Sequence, residues 1–122
     1  MLYSVLIYDS EALVDALTEA ENQQRLSQHH SLQKTFRDRG DLGPVARLMP
    51  TTSAVTVKKG EGPPLVLDGP FAETKEQLVG FYLLQCDSLE EAIEAAQSLP
   101  LDSGALEVRP VTWFTSGNLP PS

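Results

Sequence analysis

The sequence predicts an α+β domain, in which an antiparallel sheet carries its helices on one face. Three observations support this class. The chain has 122 residues, which is the length of a single domain. Short runs rich in β-branched and aromatic residues alternate with longer runs of helix formers. The two strongest strand patterns, LYSVLIY and VGFYLLQC, are apolar on both faces, which is typical of strands whose two faces are both buried.

The first half of the chain contains a strand, a long helical segment and a second strand. Leu2 to Tyr8 is predicted as the first strand. From Glu11 to about Arg39 there is no proline or glycine, and Gly40 stands where a helix C-cap belongs. We therefore predict one long helix, or two helices with a break near Asn22. Pro44 to Met49 is predicted as the short second strand.

The second half begins with a hairpin, followed by a strand and a helix. Ser53 to Lys59 and Leu65 to Leu67 flank the turn-forming sequence GEGPP and are predicted to pair. Val79 to Cys86 is the next strand. Asp87-Ser88 then caps a helix. Its apolar residues recur at helical spacing and are Leu89, Ala92, Ile93 and Ala96.

Leu106 to Phe114 is predicted as the last strand, and Pro110 places it at a sheet edge or next to a bulge. The resulting order β-α-β-(hairpin)-β-α-β is the ferredoxin-like split βαβ arrangement with an inserted hairpin. Two helices cover only one face of such a sheet, yet the first and third strands are apolar on both. We therefore expect a homodimer in which two sheets pack face to face, with Trp113 and Phe114 at the seam.

The chain is expected to form one domain over residues 1–115. The remaining residues, 116–122, contain two prolines and no apolar pattern. This tail is predicted to be disordered or to contact a partner.

Composition and charge exclude several classes of function. Seventeen acidic residues against nine basic ones give a net charge of −8, which repels a nucleic-acid backbone where no basic patch offsets it. The longest uncharged apolar stretch, Leu78 to Leu84, is too short to cross a membrane. No signal peptide is expected, since the chain begins directly with a strand pattern. Cys86 is the single cysteine, so no intramolecular disulfide can form and we expect a cytoplasmic protein. From the charge and the short apolar stretches we expect no nucleic-acid and no membrane partner.

Asp68 to Tyr82, DGPFAETKEQLVGFY, and the later sequence EVRP resemble the YCII-related family in its DGPF-motif branch. The resemblance extends from LYSVLIY to EVRPV. It implies a dimeric ferredoxin-like fold of the α/β-barrel type and small-molecule chemistry in a cleft between helix and sheet. The sequence departs from the family at Val79-Gly80, where the family has two glycines. A positive φ is energetically unfavourable for valine. Either the chain therefore enters this strand with another backbone conformation than in the family, or the first glycine is not required.

Of the two adjacent histidines, His29 is the candidate for catalysis. The resemblance implies an acid-base histidine in the first helix, and its spacing to a helix-ending glycine matches His29 and Gly40. At about 100° per residue, His29 lies within about 10° of the mean direction of the nearby apolar residues, whereas His30 diverges from it by about 100°. Those apolar residues are Leu26, Leu32 and Phe36.

An imidazole that points at the sheet suits a general base near neutral pH. The alternative for His29 is a core histidine that is hydrogen-bonded to a backbone carbonyl. Adjacent helical histidines diverge too far to chelate one ion, so no metal and no other cofactor is expected.

Five further residues are candidates for the site. Asp68 either caps its own turn or presents a carboxylate at the rim of a cleft, where it orients His29. Phe71 is a core residue or a lid. Glu73 and Lys75 have the spacing of surface ion pairs, and the resemblance makes them candidates for substrate binding. Arg109 pairs with the glutamate two residues before it, or binds a substrate carboxylate or phosphate.

Two classes of function follow for this chain. The first is a small enzyme, a lyase, isomerase or hydrolase, that uses acid-base chemistry on a small polar metabolite, with His29 as base and Asp68 as orienting carboxylate. The second is a non-catalytic ligand-binding or regulatory dimer linked to transcription, because the resemblance implies an association with sigma factors. A water-accessible pocket with a titrating histidine beside a carboxylate favours the enzyme.

Overall fold

The computed structural model describes residues 1–120, and in this range the chain forms six strands and three helices. The strands are β1 (Leu2–Asp9), β2 (Leu42–Arg47), β3 (Val55–Lys58), β4 (Leu65–Asp68), β5 (Gln77–Gln85) and β6 (Gly104–Pro110). The helices are α1 (Glu11–Asp15), α2 (Glu19–Arg39) and α3 (Leu89–Gln97). The predicted α+β class is confirmed.

Four strands form the main antiparallel sheet in the order β2-β5-β1-β6. The inserted hairpin, β3 with β4, forms a separate two-stranded sheet. This topology agrees with the predicted ferredoxin-like fold. None of the helices within residues 1–120 is long and apolar enough to cross a membrane.

The core lies between one face of the main sheet and the two longer helices. Alternate residues of β1 and β5 point toward the helices, because successive side chains of a strand face opposite sides. The buried core residues from the strands are Tyr3, Val5, Ile7, Tyr82 and Leu84. Those from the helices are Leu32, Phe36, Ala92, Ala95 and Ala96. The other face of the sheet has no helix, and its apolar side chains are only partly covered, as Leu6 and Phe81 are.

The predicted helical segment divides at residues 16–18 rather than near Asn22. Thr18 starts α2 with a reciprocal cap, in which its hydroxyl accepts from the Glu21 backbone N–H and its own N–H donates to the Glu21 carboxylate. This capping box satisfies two backbone donors that a helix start otherwise leaves free. Gly40 ends α2 with a φ of 77°, as its predicted C-cap role requires.

Two strand boundaries differ from the prediction. Strand β2 begins before Pro44, because a register shift between Leu42 and Val45 takes up the proline. Strand β6 ends at Pro110, which pairs with Tyr3, and the Val111 backbone N–H makes one further hydrogen bond, to the Leu2 carbonyl over 2.9 Å. Trp113, predicted in the last strand, therefore lies beyond it and is 78% exposed. The last two residues of the predicted tail lie outside the described part of the chain.

Val79 replaces the first family glycine without any unusual backbone conformation. Ile7 pairs with Gly80 and Tyr8 pairs with Leu78, so Val79 is the extra residue of a bulge. No residue other than glycine has a positive φ within residues 1–120. Gly80 is required for packing, because a Cβ there would lie 2.6 Å from the Ala46 carbonyl oxygen of β2.

Candidate functional site

His29 lies on the face of α2 that covers the sheet, one turn before the buried Leu32. Its side chain is half-buried, whereas His30 is exposed. The inward direction that helical geometry predicts for His29 is therefore confirmed. Because α2 is anchored by Leu32 and Phe36, the sheet residue that His29 meets is set by how the helix packs on β5.

That sheet residue is Tyr82, and the two rings are stacked with centroids 5.8 Å apart. The Nδ1 atom of His29 lies 2.7 Å from the Tyr82 hydroxyl oxygen, and Gln33 donates to the same oxygen from Nε2 over 3.0 Å. The hydroxyl accepts from Gln33, so its own proton is free to bond to Nδ1. We assign this direction, which leaves the proton of neutral His29 on Nε2.

The surroundings keep both rings neutral at pH 7. Burial lowers the pKa of His29 below its usual 6.5, and the positive charges of Arg25, Arg47 and His30 lower it further. Burial raises the pKa of Tyr82 above its usual 10.0, which the hydrogen bond from Gln33 partly opposes. A neutral imidazole is available to take up a proton or to donate a hydrogen bond.

A buried ion pair lies beside these rings. Asp9, at the end of β1, accepts from Arg25 of α2 over 3.0 Å through Oδ2, and the Asp9 side chain is 4% exposed. Its other oxygen, Oδ1, accepts from the backbone N–H groups of Ser10 and Ser103. Arg25 also pairs with Asp102 over 3.3 Å. The pair is therefore fully hydrogen-bonded, and it attaches α2 to β1 and to the loop before β6.

One cleft of about 300 Å³ between α2 and the sheet is lined by His29, Tyr82, Gln33, Asp9 and Arg25. Its polar end contains His29, Tyr82, Arg25 and Asp9, and Arg47 of β2 lies on the wall. The remaining walls are mostly apolar, with Ile7, Val14, Leu26, Val45 and Val79 among them. A volume at the lower end of the usual range for ligand pockets suits a small metabolite.

Comparisons with known proteins identify a family and a relative. A family model described as the YCII-related domain matches residues 1–115. An uncharacterized protein of Rhizobium meliloti (strain 1021) is 45% identical over 123 residues, which cover 98% of this chain and 99% of the relative. The chain belongs to the YCII-related family. The family prediction is confirmed, and membership of the DGPF-motif branch stays a prediction.

In this YCII-related protein, Asp68 does not share the cleft with His29. Asp68 is exposed at the end of β4, and no hydrogen bond of its side chain is found within residues 1–120. Its neighbours Gly69 and Pro70 line a different groove of about 680 Å³, together with Glu73 and Lys75. A carboxylate that does line the cleft of His29 is that of Asp9, which is paired with Arg25.

The two other predicted binding residues lie away from the cleft that contains His29. Phe71 is 83% exposed, so it is neither buried in the core of this chain nor part of the cleft lining. Arg109 pairs in register with Ser4, on the face of the sheet without helices. Its guanidinium donates from Nε to Glu107 over 3.0 Å, which is the structural pairing that the sequence left open.

Sequence reasoning missed the residues that accompany His29, although one signal was present. Arg25, His29 and Gln33 recur every fourth residue of α2 and therefore share one face of the helix. Three polar side chains on the helix face that covers a sheet indicate a cleft with a polar lining. Tyr82 and Asp9 carried no such signal, because each reads as an ordinary strand residue until the sheet and helices are assembled.

Proposed function

We propose that this protein is an enzyme that moves a proton on a small polar metabolite, with His29 as the acid-base group. The hydrogen bond between His29 Nδ1 and the Tyr82 hydroxyl, at the polar end of an apolar-walled cleft, carries the proposal. The bond holds the ring in one orientation and leaves Nε2 as the nitrogen that can act on a ligand. A lowered pKa keeps this imidazole unprotonated at neutral pH.

Tyr82 has a positioning role in this mechanism. When the Tyr82 hydroxyl donates to Nδ1, Nε2 carries the ring proton and His29 can donate a hydrogen bond to the ligand. A bound ligand can instead accept a hydrogen bond from the Tyr82 hydroxyl. The ring proton of His29 then resides on Nδ1 and is donated in a hydrogen bond to the phenol oxygen. In this tautomer Nε2 carries no proton and can remove one from the ligand. The base form that the sequence predicts for His29 is therefore favoured by a ligand with an acceptor near Tyr82.

Solvent exchange tests the proposed chemistry without knowledge of the substrate. The protein is incubated in D₂O with a pool of small polar metabolites, and mass spectrometry measures deuterium at carbon and the loss of each pool member. Wild type and His30→Gln are expected to change the same metabolite, whereas His29→Gln leaves it unchanged. A change that persists in His29→Gln contradicts the proposal, and ligand binding without any change supports the regulatory module instead.

Tyr82→Phe separates positioning from simple packing. The substitution keeps the ring but removes the donor to Nδ1, so neutral His29 loses a stabilising hydrogen bond and its pKa rises. NMR titration of the His29 ring measures this shift. An unchanged pKa together with full activity contradicts the role assigned to the hydroxyl.

We further propose that the protein acts as a homodimer. Its accessible surface is 8678 Å², which exceeds by about 2,200 Å² the area of roughly 6,450 Å² expected for a compact 13.3 kDa monomer. The hairpin contributes to this excess, since Val57, Leu65 and Val66 are 58%, 59% and 68% exposed. A second copy that covers the hairpin and the sheet face without helices would remove an area typical of obligate dimers.

A further inference from the structure

We infer that the ligand of the cleft is a small organic acid whose carboxylate pairs with Arg47, an assignment that rests on the proposed function of the cleft. Arg47 ends strand β2 and lines the cleft that contains His29. Its guanidinium forms no ion pair with any acidic group in the described part of the chain. A cation on the wall of a cleft with no protein counterion is a ready partner for an anion.

The second arginine of the cleft is already occupied. Arg25 is bound by Asp9 and Asp102, so it has little capacity left for a ligand carboxylate. Of the acidic residues that line the cleft, Glu11 is held by the Thr51 backbone N–H and hydroxyl. Asp15 is the remaining acid, and it is exposed on the short helix α1.

Arg47 is an exposed residue on the wall of the cleft that contains His29. Arg47 and the Nε2–H of His29 both donate, and neither has an acceptor among residues 1–120. The charge of Arg47 also reaches the imidazole, because it adds to burial and Arg25 in lowering the pKa of His29. A carboxylate bound by Arg47 satisfies the guanidinium and leaves Nε2 of His29 for the reacting part of the same acid, and the apolar walls formed by Ile7, Leu26 and Val79 fit its carbon body.

Matched neutral and charged probes test this assignment without turnover. Benzoate and its neutral isostere benzamide are titrated into the full chain, and NMR follows their binding at pH 7. Wild type is expected to bind benzoate about tenfold more tightly than benzamide, as one charge-assisted contact predicts. Arg47→Gln should lose this preference, whereas Arg37→Gln, which changes an exposed arginine outside the cleft, should keep it.

Equal binding of the two probes to wild type, no binding of benzoate, or a preference that survives in Arg47→Gln overturns the assignment. These outcomes are distinct from failure of the proposed function. A benzoate preference that depends on Arg47, without any change of metabolites in D₂O, supports the acid-binding site and contradicts the enzyme. Turnover of a neutral metabolite that depends on His29, without a benzoate preference, supports the enzyme and contradicts the acid.

Discussion

Two neighbouring histidines differ because only one of them meets the sheet. His29 is bonded to Tyr82 and stacked on its ring, while His30 is exposed at the rim of the same cleft. A rotation of about 100° per residue is enough to separate these environments. At the scale of the residue, the direction in which each histidine side chain leaves α2 therefore decides which of them contacts Tyr82.

His29 should make the stability of the fold depend on pH. Its pKa in the folded chain lies below the usual 6.5 because of burial and the nearby arginines. The unfolded chain therefore binds the proton more readily, so stability is fully retained above about pH 6.5 and falls as the pH drops through that value. Thermal unfolding from pH 8 to pH 5 measures this loss, which His29→Gln should reduce.

Truncation separates the two histidines at fixed pH. His29→Ala removes a packed and hydrogen-bonded ring, and should lower the free energy of unfolding by roughly 1 to 3 kcal/mol, whereas His30→Ala should stay within about 0.5 kcal/mol. Chemical denaturation of the two variants gives the comparison. Equal losses would show that the two rings have equivalent environments.

At the scale of the element, the hairpin and the turn after it form a unit apart from the His29 cleft. Gly69 follows β4 with a φ of 102°, and its backbone N–H donates to the Ala54 carbonyl over 2.8 Å. The Thr56 hydroxyl donates to the Gly69 carbonyl over 2.7 Å. The DGPF sequence therefore closes the hairpin at its base through the backbone of Gly69, whereas within residues 1–120 the Asp68 side chain forms no hydrogen bond that caps the turn.

Gly69→Ala should destabilise the fold through backbone strain. A Cβ at Gly69 meets no atom within 4 Å, so the cost comes from the positive φ alone and should be about 1 kcal/mol or more. Gly60→Ala is the matched control, because its Cβ is equally unobstructed and its φ is not positive. Asp68→Asn should change neither stability nor the pKa of His29. Thermal unfolding of the three variants and NMR titration of the third check these outcomes.

At the scale of the whole molecule, apolar surface remains without a partner within one chain. The hairpin forms a sheet of its own with exposed apolar side chains, and the helix-free face of the main sheet leaves residues such as Leu6 and Phe81 partly covered. An isolated two-stranded sheet is marginal in water, so a lasting hairpin of this composition needs a surface to pack against.

Light scattering at micromolar concentration should give a mass of about 27 kDa, twice the 13.3 kDa of the chain. Val66→Lys, in the middle of the exposed strand β4, should shift the protein toward monomer because it places a charge in the contact. Glu61→Lys, in the hairpin turn, also adds positive charge but should leave the dimer intact. A uniform 13 kDa species for wild type would contradict the dimer.

Local patterns predicted the elements because their causes are local. Gly40 and Ser88 cap their helices as expected, since a cap depends on residues within one turn. The break before Thr18 was predictable in the same way, because its capping box spans four residues. The inward direction of His29 was also local, because it follows from the spacing of apolar residues on one helix.

The sequence by itself thus determined the α+β class, the family and the candidate histidine, whereas tertiary structure decided what the histidine meets. Tyr82 is 53 residues from His29 in the chain, and only the antiparallel pairing of β5 beside β1 brings it under α2. Asp9 reaches Arg25 because α2 lies beside the end of β1. Asp68 resembled a partner for His29 in the sequence, but the hairpin holds it outside the cleft, because side chains far apart in the chain meet only where strand register and helix packing place them.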